Sequence, residues 1–184
     1  MTVHLDGARI ANAAAALGVS LREFTVDAGV DIVSFGGTKN GALYGEAVLA
    51  LNPEAASGLI YLRKLNMQLA SKMRFVSAQL LALFQDDLYL RSAGHANAMA
   101  GRLRQTLETA LEAGEITGLR FSQPTQANAV FAVLANDAAD RIREKVRFYD
   151  WDRVAGEVRW MAAFDTTEDD VDAFAGIVRQ ELGR

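Results

Sequence analysis

Lys39 is the residue of this sequence best suited to act as a nucleophile. It is one of only four lysines, and it directly follows a β-branched apolar run at 30–35, within the glycine-rich segment Gly36-Gly37-Thr38-Lys39-Asn40-Gly41. A lysine that is partly desolvated between the ends of two strands has its ammonium form disfavoured, so its neutral amine can attack a carbonyl. A solvated turn cation is the commoner interpretation of such a loop on spacing alone, and both remain open from these residues.

The same segment is a poor candidate for a phosphate-binding P-loop. That motif needs a serine or threonine directly after its lysine, and here Asn40 follows Lys39. Nucleotide hydrolysis is therefore set aside.

Asp6 is the second candidate, because it is an acidic residue at the carboxyl end of a short apolar strand pattern. Open α/β sheets bind ligands at that end of their strands. An equally good interpretation is that Asp6 caps the helix beginning near Ala8 by accepting backbone N–H bonds. Arg9, three residues onward, could form an ordinary ion pair with Asp6.

The apolar pattern predicts the elements that position these residues. Strand patterns occur at 3–5, 30–35 and 44–51, and an alanine-rich stretch at 8–17 predicts a helix that ends at Gly18. Asp6 and Lys39 therefore each follow a predicted strand, and Lys39 lies in the turn between two of them.

The remainder of the chain divides into a helical linker and a small mixed layer. Helical periodicity extends over 53–91 with a break near 66–71, and a second helix covers about 90–113. Beyond Gly114 the patterns predict a small α+β layer, with strands at 119–122, 129–134, 146–149 and 158–163 and helices at 137–143 and 168–182. We place the domain boundary so that residues 1–105 form a large domain with long linking helices and 106–184 a small carboxyl-terminal domain.

Composition and charge exclude several classes of protein. The chain has 23 acidic against 19 basic residues, a net charge of −4, so it lacks the positive field that nucleic acid or an anionic membrane selects. No apolar run is long enough to cross a bilayer, and no metal site is predicted. The chain has no cysteine, which suits a reducing compartment, and we expect a cytoplasmic protein.

Two motifs taken together are far more specific than either alone. His4-Leu5-Asp6-Gly7-Ala8-Arg9, followed by Ser34-Phe35-Gly36-Gly37-Thr38-Lys39-Asn40-Gly41, resembles the low-specificity L-threonine aldolases, which are fold-type-I pyridoxal-phosphate enzymes of the β-eliminating-lyase group. The resemblance covers essentially the whole chain, continuing through Arg63-Lys64, 71–79, 95–100, Val158-Arg159-Trp160-Met161 and 165–171. It implies an α/β fold: part of a fold-type-I large domain, with an incomplete and mainly parallel sheet, plus the small α+β domain.

The resemblance also implies a role for each candidate residue. Lys39 matches the lysine that forms the Schiff base with pyridoxal 5′-phosphate, and Asp6 matches the aspartate at the pyridine nitrogen. Arg9 matches the arginine beside the cofactor's O3 and the substrate carboxylate, and Arg159 fits the second carboxylate ligand, from the small domain. Two arginines supply a fork geometry for one carboxylate that a lysine could not.

The implied reaction is cleavage of L-threonine-type β-hydroxy-α-amino acids to glycine and an aldehyde. Transamination and β-elimination are alternatives. The residues do not identify the base for the β-hydroxyl: His4 is expected to support a strand end, and His95 to be a solvated or capping histidine. The resemblance implies a homo-oligomer, a dimer or tetramer, in which Lys64 and Arg74 approach a neighbouring subunit's site.

The position of the motif aspartate is the main departure from the family pattern. A complete enzyme of this kind has on the order of 150 residues ahead of it, including the glycine-rich turn and helix N-terminus that hold the cofactor phosphate. We therefore expect this chain to be the carboxyl-terminal part of an aldolase that needs a missing amino-terminal half and is poorly active alone. A catalytically silent fragment or interaction remnant is the alternative.

Overall fold

The computed structural model describes residues 1–183 and divides them into two compact units, one comprising residues 1–93 and one beginning at Gly94. Arg184, the last residue of the predicted small domain, lies outside the described residues. The predicted domain boundary between residues 105 and 106 stays a prediction.

The first unit is built on a three-stranded mixed sheet of order β1-β2-β3. The strands are β1 (His4–Gly7), β2 (Ile32–Gly36) and β3 (Glu46–Ala50), and helix α1 (Ile10–Leu17) follows β1. β1 pairs parallel with β2, and β3 returns antiparallel beside β2. The predicted strand, helix, strand, turn, strand order is confirmed, and α1 ends at Gly18 as predicted, where the Gly18 N–H donates to the Ala14 carbonyl.

One face of this sheet packs on a small core and the other is more open. Val33 and Phe35 of β2 are buried together with Ile10 of α1. Because strand side chains alternate between faces, His4, Asp6 and Ser34 project from the opposite face, where His4 and Asp6 are exposed and Ser34 is half-buried.

The helical stretch after β3 is broken where the sequence predicts a break. Helices α2 (Leu59–Leu65) and α3 (Arg74–Phe84) are separated by residues 66–73, and α4 (Leu88–Glu112) follows α3 after a short 3-10 turn. α2 buries none of its residues. The second predicted helix corresponds to α4, whose first residues belong to the first unit.

The second unit is a four-stranded antiparallel sheet of order β4-β5-β7-β6 with two helices of its own. Its elements are β4 (Arg120–Phe121), β5 (Ala129–Val133), α5 (Asn136–Lys145), β6 (Tyr149–Asp152), β7 (Glu157–Met161) and α6 (Glu168–Leu182). The strand predicted at 146–149 is wrong in its position, because the ladder with β7 begins only at Tyr149. The second unit has a continuous buried core, whose residues include Val130, Val158, Trp160 and Val178.

Helix α6 begins at the predicted place. Thr167 is its N-cap: the Asp170 N–H donates to the Thr167 hydroxyl at 3.1 Å, and the Thr167 N–H donates to the Asp170 carboxylate at 2.9 Å. This reciprocal capping box satisfies helix donors that otherwise have no partner. Among residues 1–183, no helix has the length and apolar character needed to cross a membrane.

Candidate active site

The segments that carry Asp6 and Lys39 lie at the same edge of the first unit's sheet. β1 and β2 run parallel in a register that pairs Asp6 with Ser34 and Gly7 with Phe35, so both strands end on the same side. The segments beyond them touch: a Cβ added to Gly36 would lie 2.7 Å from the Ala8 carbonyl oxygen. The structure therefore brings together the two motif segments, which are separated by about thirty residues in the sequence.

The loop that carries Lys39 is held on both sides. Lys39 is the middle residue of a 3-10 turn, Thr38–Asn40. The Gly37 N–H donates to the Gly45 carbonyl at 2.9 Å, and the Gly45 N–H donates to the Thr38 hydroxyl at 3.2 Å. This pair of bonds closes the turn between β2 and β3 and fixes the backbone at Lys39.

Asn40 is a residue of this site whose role the sequence analysis missed. Its side chain is 5% exposed, and its Nδ2 donates to the Tyr89 carbonyl at 2.9 Å. Buried amides are costly unless they are bonded, so this bond anchors the turn to α4 within the first unit. A polar residue directly after the lysine was the available signal for this role.

Lys39 itself is exposed, as is Asp6. The expected partial desolvation of the Lys39 amine is therefore not found in this chain, where the lysine is a solvent-facing residue on a fixed turn. Asp6 accepts the Ala8 N–H through Oδ1 at 3.0 Å. This is a local turn ahead of the helix rather than the helix cap that the sequence suggested, because α1 begins at Ile10 and its N-cap residue, Arg9, has no side-chain cap bond.

Neighbouring residues flank β1 and β2 or join the two strands. Arg9 is half-buried immediately before α1. His4 Nε2 lies 2.8 Å from the Ser34 hydroxyl, which joins β1 to β2 and agrees with the expected supporting role. Asp31 stabilises the start of the same pairing, because its carboxylate accepts the Val3 N–H and the Asn52 amide, which together hold the pKa of Asp31 below its ordinary value.

Arg159 and His95 belong to the second unit. Arg159 lies on β7, half-buried, with its guanidinium carbon 4.8 Å from the centre of the Trp151 ring. His95 is exposed, which agrees with the expected solvated histidine, and its Nε2 lies 2.6 Å from the Thr166 carbonyl. Lys64 and Arg74 are exposed in the first unit.

The three residues at the sheet edge form a donor set suited to pyridoxal phosphate. An amine can condense with the cofactor's aldehyde, a carboxylate can bind a protonated pyridine nitrogen, and a guanidinium can bind an anionic oxygen. Lys39, Asp6 and Arg9 supply one of each on two touching loops. The described residues contain no group of three or more side chains that could hold a metal ion.

The sequence matches the Beta-eliminating lyase family over residues 1–137. Two low-specificity L-threonine aldolases, from Pseudomonas sp. (strain NCIMB 10558) and Pseudomonas aeruginosa, are each 40% identical to the chain over 180 and 182 residues. These alignments cover 97% and 98% of this chain but 50% and 51% of the two relatives, so the chain spans about half their length.

Solved structures show the same fold. A threonine aldolase from Leishmania major matches with a TM-score of 0.82 at 24% identity, covering 98% of this chain and 52% of that one. A lysine aminotransferase from M. tuberculosis matches with a TM-score of 0.53 at 18% identity, over 98% of this chain and 41% of that one. The predicted α/β fold, part of a fold-type-I large domain plus a small α+β domain, is confirmed. The sheet of the large-domain part is mixed rather than mainly parallel.

Proposed function

The chain belongs to the β-eliminating lyase family, and we propose that it forms part of an aldolase that uses pyridoxal phosphate to cleave L-threonine-type β-hydroxy-α-amino acids to glycine and an aldehyde. The observation that carries this proposal is the contact between the Asp6 and Lys39 segments at one sheet edge. Relatives named as low-specificity L-threonine aldolases, 40% identical to this chain, support the choice of substrate.

Each residue of the edge has a role in the proposal. Lys39 would supply the amine that binds the cofactor's aldehyde carbon. Asp6 would supply the carboxylate that accepts the pyridine N–H. When bound, pyridoxal phosphate supplies an electron sink for the pair released as the substrate's Cα–Cβ bond breaks. Arg9 in the first unit and, separately, Arg159 in the second would each suit the substrate carboxylate, because guanidinium groups can make paired hydrogen bonds to a carboxylate.

We propose that the working site needs further polypeptide. Lys39 and Asp6 are exposed, and β1 pairs with one strand alone within residues 1–183. The relatives are about twice as long as this chain. In this proposal the further polypeptide is either an amino-terminal half like that of the longer relatives or a second copy of this chain within a dimer or tetramer. The proposed compartment is the cytoplasm.

Trapping of the cofactor at Lys39 tests the proposal. The chain is mixed with pyridoxal phosphate, with and without the amino-terminal half of a relative, reduced with borohydride, and mapped by mass spectrometry. We expect the pyridoxyl group to concentrate on Lys39, and to be lost in Lys39→Ala but kept in Lys72→Ala, a control at another exposed lysine. Equal labelling of Lys39, Lys64 and Lys72 would show only surface reaction and would contradict the proposal.

The products distinguish this reaction from its alternatives. In the completed assembly, an aldolase releases glycine and acetaldehyde from L-threonine, whereas transamination or β-elimination yields a keto acid. Glycine release that requires Lys39 is the expected result. Cofactor trapping at Lys39 without turnover of either kind would favour the silent-fragment alternative.

A further inference from the structure

Arg159 lies within an aromatic cluster that crosses three strands of the second unit. Phe131 of β5 and Tyr149 of β6 are its partners in register on either side. The Trp151 ring lies 4.8 Å from the Arg159 guanidinium carbon and also meets the Phe131 ring edge-on, with centroids 5.2 Å apart. The indole of β6 therefore reaches over Arg159 on β7 to Phe131 on β5.

A local irregularity of β6 creates this arrangement. Asp150 pairs with Val158 and Asp152 with Glu157, so the register shifts and Trp151 has no partner opposite it. An extra residue in a strand re-aims its side chain and increases the local twist. Trp151 nonetheless remains 54% exposed, so its burial alone gives little reason for a tryptophan here.

The electrostatic surroundings set Arg159 apart from the other stacked arginines of this unit. Arg104 lies 3.8 Å from the Phe121 ring centre and pairs with Glu108, and Arg143 lies 4.7 Å from that of Phe148 and pairs with Asp140 and Asp150. Within residues 1–183, no carboxylate forms an ion pair with Arg159, and its buried Nε has no hydrogen-bond partner.

A guanidinium that lies against a ring and forms no ion pair keeps N–H donors available for another acceptor. The ring attracts the cation without neutralising it. A stacked but unpaired arginine is therefore a preorganised anion-binding group, whose fixed geometry lowers the entropy lost on binding.

We propose that Trp151 is a positioning residue that holds the Arg159 guanidinium ready for a carboxylate ligand. The ligand class rests on the proposed function, in which that carboxylate belongs to the amino-acid substrate. Trp151 acts through Arg159 and is assigned no contact with the reacting atoms.

The test measures the reactivity of Arg159 in the full chain, without requiring turnover. Phenylglyoxal modifies arginines, and mass spectrometry gives the rate at Arg159 against that at exposed Arg120 as internal reference. Acetate is the probe, since it carries a carboxylate and no amine that would consume the reagent, and chloride maintains the ionic strength. The protection midpoint is the acetate concentration that halves the rate of Arg159 modification, and it is compared between the parent chain and its variants.

We expect Trp151→Leu to raise that midpoint about three- to fivefold, the size of an exposed cation–π interaction. Trp151→Phe retains a ring and should stay within about twofold of the parent. Tyr149→Leu is the matched control, because it removes an exposed aromatic side chain in register with Arg159, and it should leave the midpoint unchanged. Circular dichroism confirms that each variant is folded.

An unchanged midpoint in Trp151→Leu, or an equal change in Tyr149→Leu, would overturn the positioning role. Absence of acetate protection at Arg159 in the parent chain would overturn it as well, together with the assignment of Arg159 to the carboxylate. A third outcome separates the two proposals. If no cofactor is trapped at Lys39 while the protection midpoint at Arg159 still depends on Trp151, the proposed function is contradicted, but Arg159 remains a carboxylate-binding residue positioned by Trp151.

Discussion

At Gly36 the backbone of β2 passes directly against the loop that joins β1 to α1. A Cβ there would meet the Ala8 carbonyl oxygen at 2.7 Å and the Ala8 Cα at 2.8 Å, and backbone atoms cannot rotate away as a flexible side chain can. We expect Gly36→Ala to lower the free energy of unfolding of the first unit by about 1–3 kcal/mol. Urea unfolding followed by far-ultraviolet circular dichroism measures this loss.

Gly45→Ala is the control for that substitution. The nearest atom to its added Cβ would be Val76 Cγ1 at 3.5 Å, an ordinary contact, so the stability should change little. Equal stability of the two variants would show that the close approach at Gly36 carries no energetic weight.

The buried amide of Asn40 anchors the turn at Lys39 to α4. Asn40→Asp removes the donor to the Tyr89 carbonyl and places a carboxyl group against that oxygen. We expect a loss of about 1–3 kcal/mol in the stability of the first unit, measured by the same unfolding experiment. Asn66→Asp is the matched control, since the Asn66 amide also donates to a backbone carbonyl, that of Leu62, but is exposed; a comparable loss there would contradict the role of burial.

The sequence predicted which residues are candidates for the site, but not how exposed they are or which segments contact each other. A strand pattern ahead of Lys39 was enough to place that residue after β2, whereas Asp6, which was predicted to follow a strand, lies within β1. The contact of Gly36 with Ala8 depends on how two strands about thirty residues apart pair, which local periodicity does not contain. The sequence left open whether Lys39 is desolvated or a solvated turn cation, because desolvation requires a surface that covers the turn; the residue is exposed.

Among the elements, α6 depends most clearly on one capping residue. Thr167 bonds the backbone N–H of Asp170, and Asp170 bonds that of Thr167. We expect Thr167→Ala to destabilise the second unit by about 1 kcal/mol, seen as a lower thermal midpoint. Thr109→Ala in the exposed last turn of α4 is the control, because its hydroxyl bonds the carbonyl one turn back and alanine favours the helix. This substitution should not lower the midpoint.

The same capping box gives the stability a pH dependence. The Thr167 hydroxyl and then its N–H donate to the Asp170 carboxylate and lower the pKa of Asp170 from its ordinary 3.8. A group whose pKa is lowered by folding stabilises fully above its unfolded pKa and loses that effect as the pH falls through its folded pKa. Asp170→Asn should therefore be less stable than the parent chain at about pH 7, with a difference that shrinks below about pH 4.

Urea midpoints across that pH range measure the difference. Asp169→Asn is the control, because it removes a charge from the same first turn without touching the capping box. A difference between Asp170→Asn and the parent that stays constant with pH would contradict the capping role of the carboxylate.

The elements themselves were largely predictable, and the errors have local causes. α6 was predicted with its observed limits because a capping signal coincides with an apolar stripe. The strand at 146–149 was placed too early because Val146 and Phe148 continue an apolar alternation, whereas pairing with β7 begins only at Tyr149. The bulge at Trp151 left no mark in the sequence, because a one-residue register shift depends on the neighbouring strand.

At the scale of the whole molecule, the two units differ in how much apolar core each possesses. The main buried cluster of the described second unit contains 19 residues, whereas that of the first contains three. α2 contributes no buried residue to either cluster. Since local opening is easiest where few apolar groups are buried, limited trypsin digestion should cut first after Arg63, Lys64 or Lys72 and leave the second unit intact.

Mass spectrometry of the early fragments identifies the cleaved bonds. Exposed Arg120 and Arg147 provide the comparison within the second unit. First cleavage at either of them would contradict the expected order of stability.

The placement of the tryptophans decides which optical signal can follow these events. The chain has two tryptophans. Trp151 lies in the aromatic cluster and Trp160 in the core, and both belong to the second unit. Emission excited selectively at indole therefore reports the melting of that unit alone. Unfolding of the first unit therefore leaves the indole emission unchanged, and a sharp fluorescence transition says nothing of that unit. A Phe35→Trp substitution beside Phe84 would give the first unit a reporter of its own.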